Sequence, residues 1–193
     1  MALINVAARE IHCKIVYYGP GMGGKTSNLQ YIHSAVPREV KGELLSIATE
    51  TERTLFFDFL PLDLGKVRGF QTRFHLYTVP GQVLYERTRV AVLNGADGVV
   101  FVADSQKHKL EENVKSLKEL AQNVTKMNKN FREFPIVLQY NKKDLPNRLP
   151  ADKLDSFLNP PALNWQRFEA IATTGEGVFD TLKAISRLVI SKL

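Results

Sequence analysis

Ile11-His12-Cys13-Lys14-Ile15-Val16-Tyr17-Tyr18, followed at once by Gly19-Pro20-Gly21-Met22-Gly23-Gly24-Lys25-Thr26, is the stretch that decides the fold. The first eight residues form an apolar run that reads as a strand. The next eight match G-x-x-x-x-G-K-[ST] in full, and a helix is expected from about Lys25 to Ser34. Gly19, Gly21, Gly23 and Gly24 free the backbone to curl, so that its N–H groups point inward at phosphate oxygens. The helix behind them adds the positive end of its dipole. Lys25 can reach β- and γ-phosphates, the Thr26 hydroxyl offers oxygen to Mg²⁺, and Ser27 beside it is a further candidate for nucleotide binding. This motif implies a nucleoside triphosphate without choosing adenine or guanine.

Working outward, Thr54 to Leu62 and Phe70 to Val79 read as strands, with Pro61-Leu62-Asp63-Leu64-Gly65 and Gly69 between them suggesting a hairpin. Helical spacing is expected over Gln82 to Leu93, Leu110 to Met127, Ala151 to Phe157 and Gly177 to Leu193. Buried strands are expected at Gly98 to Asp104, Pro135 to Asn141 and Phe168 to Ala172. Apolar strands alternating with amphipathic helices indicate an α/β fold, a parallel sheet covered on both faces. With no repeat or linker, residues 1–193 read as one domain.

Asn141-Lys142-Lys143-Asp144 closes one of those strands, at the end where open α/β sheets bind ligands. The Asp144 carboxylate can accept two hydrogen bonds from the N1–H and amine of guanine, a donor pair adenine lacks. The stem of Lys142 can cover a face of the base, and Asn141 can tie this loop to the phosphate loop. Alone the tetrapeptide is a commonplace polar turn; two βα units after a complete phosphate loop it points to guanine.

The two motifs together resemble the Ras-like small GTPases over nearly the whole chain. The resemblance implies the P-loop small-GTPase fold, with a six-stranded, mostly parallel sheet, one antiparallel hairpin, and GTP/GDP and Mg²⁺ as ligands. Glu169 to Gly177 looks like the fifth family motif, with Ala172 presenting an N–H to the guanine carbonyl, although Thr173 replaces the usual lysine. Where the family carries D-x-x-G-Q, this chain has Thr78-Val79-Pro80-Gly81-Gln82. Gln82 thus matches the glutamine that orients water, and Gly81 the γ-phosphate sensor. Thr78 stands where the Mg²⁺-holding aspartate is usual, and Asp58 is a candidate substitute.

That departure, with Tyr-Tyr-Gly-Pro-Gly, Ala-Thr-Glu-Thr-Glu-Arg-Thr-Leu-Phe-Phe-Asp-Phe-Leu-Pro and Thr-Arg-Phe-His-Leu-Tyr, is similar to the bacterial MglA family. The resemblance implies a polarity and motility switch with its effectors, and a roadblock-fold partner of the MglB type that accelerates hydrolysis. It also implies that Arg53 is an arginine finger in cis and that Thr54 is the switch threonine on Mg²⁺ and γ-phosphate. A solvated loop arginine is the alternative for Arg53. Leu55 to Leu60 is apolar on both faces, so its pattern barely specifies a register. The family slides this strand between nucleotide states; a fully buried strand explains the pattern equally well.

Composition excludes little. The net charge is +6, but the basic residues are scattered rather than gathered in a tail, and they do not interleave with aromatics as a nucleic-acid groove requires. The one cysteine, Cys13, excludes an intrachain disulfide and reads as a buried inert thiol in a reducing compartment. The four histidines lack metal-ligand spacing. No apolar stretch spans a bilayer and no lipid-attachment signal is present, so we expect a cytoplasmic chain without its own membrane anchor, recruited by partners. Two rivals to a switch that hydrolyses GTP stay open: a GTP-binding scaffold with negligible hydrolysis, and an ATP-dependent phosphotransferase.

Overall fold

The computed structural model describes residues 2–48, 55–82 and 85–193. Eight strands and five α-helices alternate along the described chain: β1 (Leu3–Asn5), β2 (Glu10–Tyr18), α1 (Lys25–Ala35), β3 (Leu45–Ala48), β4 (Leu55–Val67), β5 (Phe70–Thr78), α2 (Glu86–Leu93), β6 (Gly98–Asp104), α3 (Leu110–Lys126), β7 (Ile136–Asn141), α4 (Ala151–Leu158), β8 (Arg167–Ala170) and α5 (Val178–Ile190). They form one sheet in the order β3-β4-β5-β2-β6-β7-β8, with β1 paired to β2. The pairs from β5 through β2, β6 and β7 to β8 are parallel, while β1–β2, β3–β4 and β4–β5 are antiparallel.

The sheet therefore has eight strands rather than the expected six. The additions are β1, whose three residues are all exposed, and the four-residue edge strand β3. Elements that short cannot show an apolar period, so the sequence pattern gives them no signal.

The expected hairpin is present, but its turn lies further along. Strand β4 runs through Pro61 to Gly65 and on to Val67, and Val67 pairs with Phe70. Arg68 and Gly69, at φ 50° and 84°, make the two-residue reversal. Two successive positive φ values match the twist of the flanking strands. Gly65, at φ 88°, marks a bulge between Asp63 and Lys66 instead of the turn.

Two cores flank the sheet. Leu29 and Ile32 of α1 and Val178, Leu182, Ile185 and Val189 of α5 pack on Cys13, Ile15, Val100 and Val102. On the other face Val92, Leu93, Leu117, Leu120, Val124, Leu154 and Leu158, from α2, α3 and α4, pack on Val16, Val99, Phe101 and Leu138. β6 and β7 are buried at every position, as strands covered on both faces must be. Cys13 is fully buried, and burial pushes its thiol up to about 12, so it is an inert packing residue.

β2 has β5 on one side and β6 on the other, which makes its carboxyl end the point where the chain winds in opposite directions. A crevice at that point is where such sheets hold ligands. The phosphate loop leaves from it.

Candidate nucleotide site

Two positions of the phosphate loop fit only as glycine. Gly19 has φ 146°, and a Cβ there would lie 2.2 Å from the Val102 carbonyl oxygen; Gly24, at φ 104°, caps α1, and its Cβ would lie 2.0 Å from Asn141 Nδ2. The loop is thus held between β6 and the end of β7. Lys25 is buried, and its Nζ donates to the carbonyls of Gly19 at 3.0 Å and Pro20 at 2.6 Å. Burial, seconded by the Arg89 guanidinium, pulls its ammonium down to about 7, against the opposite pull of Asp58.

At the carboxyl end of β7, Asn141 joins three loops. Its Nδ2 donates to Gly23 O at 2.9 Å, and its Oδ1 accepts the Ala172 N–H at 2.9 Å. Ala172 therefore stands in the expected loop, but its N–H locks Asn141 here instead of facing outward as expected. Lys142 sits at φ 65° and pairs through Nζ with the fully buried Asp104 at 2.7 Å, which stretches its stem along the site. Lys143 pairs with Glu176, adding a bridge between the Asn141–Asp144 loop and the Glu169–Gly177 segment. Asp144 is exposed and makes no hydrogen bond or ion pair among the described residues. Its carboxylate is available to accept from a ligand.

The other end of the site is assembled from side chains. Asp58, only 2% exposed, accepts from Thr26 Oγ1 at 2.6 Å, Thr78 Oγ1 at 2.9 Å and Ser46 Oγ at 2.7 Å, while its own N–H donates to Thr78 Oγ1 at 2.8 Å. The structure thus brings Thr26, Asp58 and Thr78 together. In the register of this structure, with Phe59 opposite Tyr77, the one acidic side chain of Leu55 to Leu60 meets three hydroxyls. A slip by one residue would turn it to the other face.

Gly81 lies tight against the phosphate loop; a Cβ on it would be 2.1 Å from Gly21 N. Gln82 follows, exposed, with its carbonyl accepting from Arg89. Arg89 Nη1 also takes the Pro80 carbonyl at 3.1 Å. Its Nε and Nη2 grip Glu119 at 2.6 and 3.2 Å, and Tyr18 Oη donates to the same carboxylate at 2.9 Å. Arg89, Glu119 and Ser46 escape sequence reading, because their partners lie on other elements; Asp104, closing the apolar run of β6, was the one with a visible signal. Arg53 and Thr54 lie outside the described residues.

As a fit for Mg²⁺, the donor set is all oxygen: the hydroxyls of Thr26, Ser46 and Thr78, each within hydrogen-bonding distance of the Asp58 carboxylate. Mg²⁺ prefers such ligands and takes one or two carboxylates beside substrate phosphates. Among the described residues no cluster of three or more His, Cys, Asp or Glu forms a different metal site.

The model of the ADP-ribosylation factor family matches residues 47–189. The chain is 55% identical over 193 residues to "Mutual gliding-motility protein MglA" of Myxococcus xanthus (strain DK1622), covering all of this chain and 98% of that protein. The chain belongs to the MglA family of Ras-like small GTPases. It is also 28% identical over 172 residues to "ADP-ribosylation factor-like protein 6" of Caenorhabditis elegans, covering 86% of this chain and 88% of that one. Membership brings GTP and GDP as ligands, Mg²⁺ as the accompanying ion and GTP hydrolysis as the general activity. Among the described residues no helix is long and apolar enough to cross a membrane.

Proposed function

We propose that this protein is a GTP-operated switch of cell polarity and gliding motility, hydrolysing GTP slowly alone and faster with a roadblock-fold partner of the MglB type. The observation that carries the reading is full-length similarity to a mutual gliding-motility protein, joined to a free Asp144 carboxylate on a loop that Asn141 fastens to the phosphate loop. A carboxylate so placed selects guanine by its paired N–H donors.

In hydrolysis, water attacks the γ-phosphorus, the bond to the β–γ bridging oxygen breaks, and GDP and phosphate leave. Gln82 orients the water. Lys25 and the Arg53 guanidinium stabilise charge gathering on the bridging oxygen and the transferred group. Gly19, Gly21, Gly23, Gly24, Lys25, Thr26 and Ser27 cradle the phosphates, and Gly81 reads the terminal one. Asn141, Lys142 and Asp144 hold the base, with Ala172 positioning Asn141. Mg²⁺ would be held by Thr26 and Thr54, with Asp58 supplying the carboxylate that Thr78 cannot; bound there it neutralises phosphate charge. The chain is proposed to act as one domain in the cytoplasm, brought to a pole or membrane by its partners.

Thr78 in place of an acid also supports a second reading, a GTP-binding scaffold that scarcely turns over. Single-turnover hydrolysis by the purified chain, with and without a roadblock-fold partner, separates the two. Measurable unaided release of phosphate, abolished by Gln82→Leu, is expected; no unaided release would leave the scaffold.

A further inference from the structure

At the end of the sheet opposite the phosphate loop, a groove of about 730 Å³ runs between α5, the chain entering β8 and the segment before β7. Its rim carries Arg132, Lys183, Arg187 and Lys192, all exposed, and none of their cationic groups makes an ion pair or hydrogen bond among the described residues. Two carboxylates, Glu133 and Asp180, share the lining, also unpaired, so cations outnumber acids by four to two. The floor is apolar: Trp165 and Phe134 are buried, and Phe168 and Leu188 are half-buried. Trp165 Nε1 is buried and has no hydrogen-bond partner, an uncommon state for an indole N–H.

We propose that this groove binds an extended acidic segment of a partner protein, one that alternates carboxylate and apolar side chains. The spacing argues for that occupant. Lys183 and Arg187, four residues apart on α5, lie on one helix face about 6 Å apart along its axis. In an extended chain every second side chain points the same way, at about 6.8 Å intervals. Successive carboxylates on one side of the segment thus meet successive α5 cations. The intervening apolar side chains are matched by the half-buried apolar surface of Phe168 and Leu188. A planar lipid surface would reach the rim but not the recessed floor. Exposed rings for stacking nucleobases are missing from the lining, where the aromatic residues are buried or half-buried. The site is remote from the nucleotide loops, so its occupation is separable from GTP binding and turnover.

Trp165 is the only tryptophan of the chain and therefore a built-in reporter. The test titrates the GDP-loaded full chain with a labelled heptapeptide of alternating Glu and Leu, read by anisotropy and by Trp165 emission, at two salt concentrations. Saturable binding is expected, weakened about tenfold by raising salt from 50 to 200 mM, with a shift in Trp165 emission. Lys183→Glu/Arg187→Glu, both on the exposed face of α5, should lower peptide affinity at least tenfold while GDP affinity stays within twofold. Equal binding of the matching Lys–Leu peptide, binding unaffected by the double substitution, or no binding at all would overturn the proposal. So would an emission response to phosphatidylglycerol vesicles or to oligo-dT without one to the peptide.

Discussion

The base end and the metal end of the nucleotide site are built in opposite ways. At the base end one side chain, Asn141, at the tip of a fully buried parallel strand, bonds to two backbone groups, Gly23 O and Ala172 N. At the metal end Asp58 sits on the antiparallel hairpin near the sheet edge and is held by three hydroxyls, from β3, β5 and α1. Backbone partners cannot rotate away as a side chain can. Hydroxyl partners on an edge hairpin can be exchanged for others, including an ion. The difference teaches that the site has a fixed half, where the base is proposed to bind, and an adjustable half at the proposed metal and phosphate end.

Breaking the fixed half should cost most. Asn141→Ala leaves Gly23 O and Ala172 N unsatisfied in a buried region, so a loss of about 2–5 kcal/mol in unfolding free energy is expected, with GDP affinity falling more than a hundredfold by fluorescent-nucleotide titration. An affinity loss under tenfold would mean the three loops hold together without this residue.

Next comes the adjustable half. Asp58→Asn keeps the shape but removes the charge, so half-saturation of GTP hydrolysis by Mg²⁺ should move up by at least tenfold while GDP affinity in EDTA changes little. An unchanged Mg²⁺ requirement would remove Asp58 from the metal site. Arg89 ties both flanks of Gly81 to α3 through Glu119, in a pair whose arginine is almost fully buried. Arg89→Ala should destabilise by about 3 kcal/mol, mainly from the carboxylate left without its partner, and slow hydrolysis about tenfold. Nucleotide dissociation constants would be expected within about threefold, and Arg89→Lys should restore part of the rate. Equal losses in affinity and rate would assign Arg89 to general stability alone.

How much of this could be read in the sequence follows the same division. The fixed half lies in contiguous strings, Gly19 to Gly24 and Asn141 to Asp144, and the strands that carry them are apolar runs, so motif and period coincide. The adjustable half is assembled across elements. Asp58 was a candidate because Thr78 left a gap, but nothing local in Ser46, Arg89 or Glu119 announces a partner 12 to 30 residues distant in the chain. β1 and β3 went unseen since pairing, not periodicity, makes them strands. The β4–β5 turn was displaced because Gly65 and Gly69 both allow positive φ, and the choice between them is made by cross-strand register.

A smaller effect belongs to Lys25. Its ammonium, ordinarily at 10.5, is pulled to about 7 by burial in the fold, and phosphate oxygens favour its charged form. Above pH 7 the nucleotide-free protein holds it neutral, so binding GDP must take up a proton, and affinity falls as pH rises from 7 toward 9. Because the unfolded chain keeps that proton up to the ordinary value, the same group makes the nucleotide-free fold relatively more stable as pH rises through this window. Calorimetry at pH 8.5 in buffers of different ionisation enthalpy should show uptake approaching one proton; none would mean Lys25 is already charged. Smallest is Gly69→Ala, at the tip of the hairpin that carries Asp58. The added Cβ meets nothing within 4 Å, so only the φ of 84° is penalised, by about 1 kcal/mol. Base affinity should not move.

The most direct test is the affinity of the nucleotide-stripped chain for GDP, ADP and XDP, measured alongside Asp144→Asn. The account predicts strong preference for GDP in the native chain and, in the variant, a loss of GDP affinity of about a hundredfold or more with XDP now preferred, as expected when a carboxylate's paired hydrogen bonds are replaced. Equal binding of GDP and ADP by the native chain, or an undisturbed guanine preference in the variant, would contradict it.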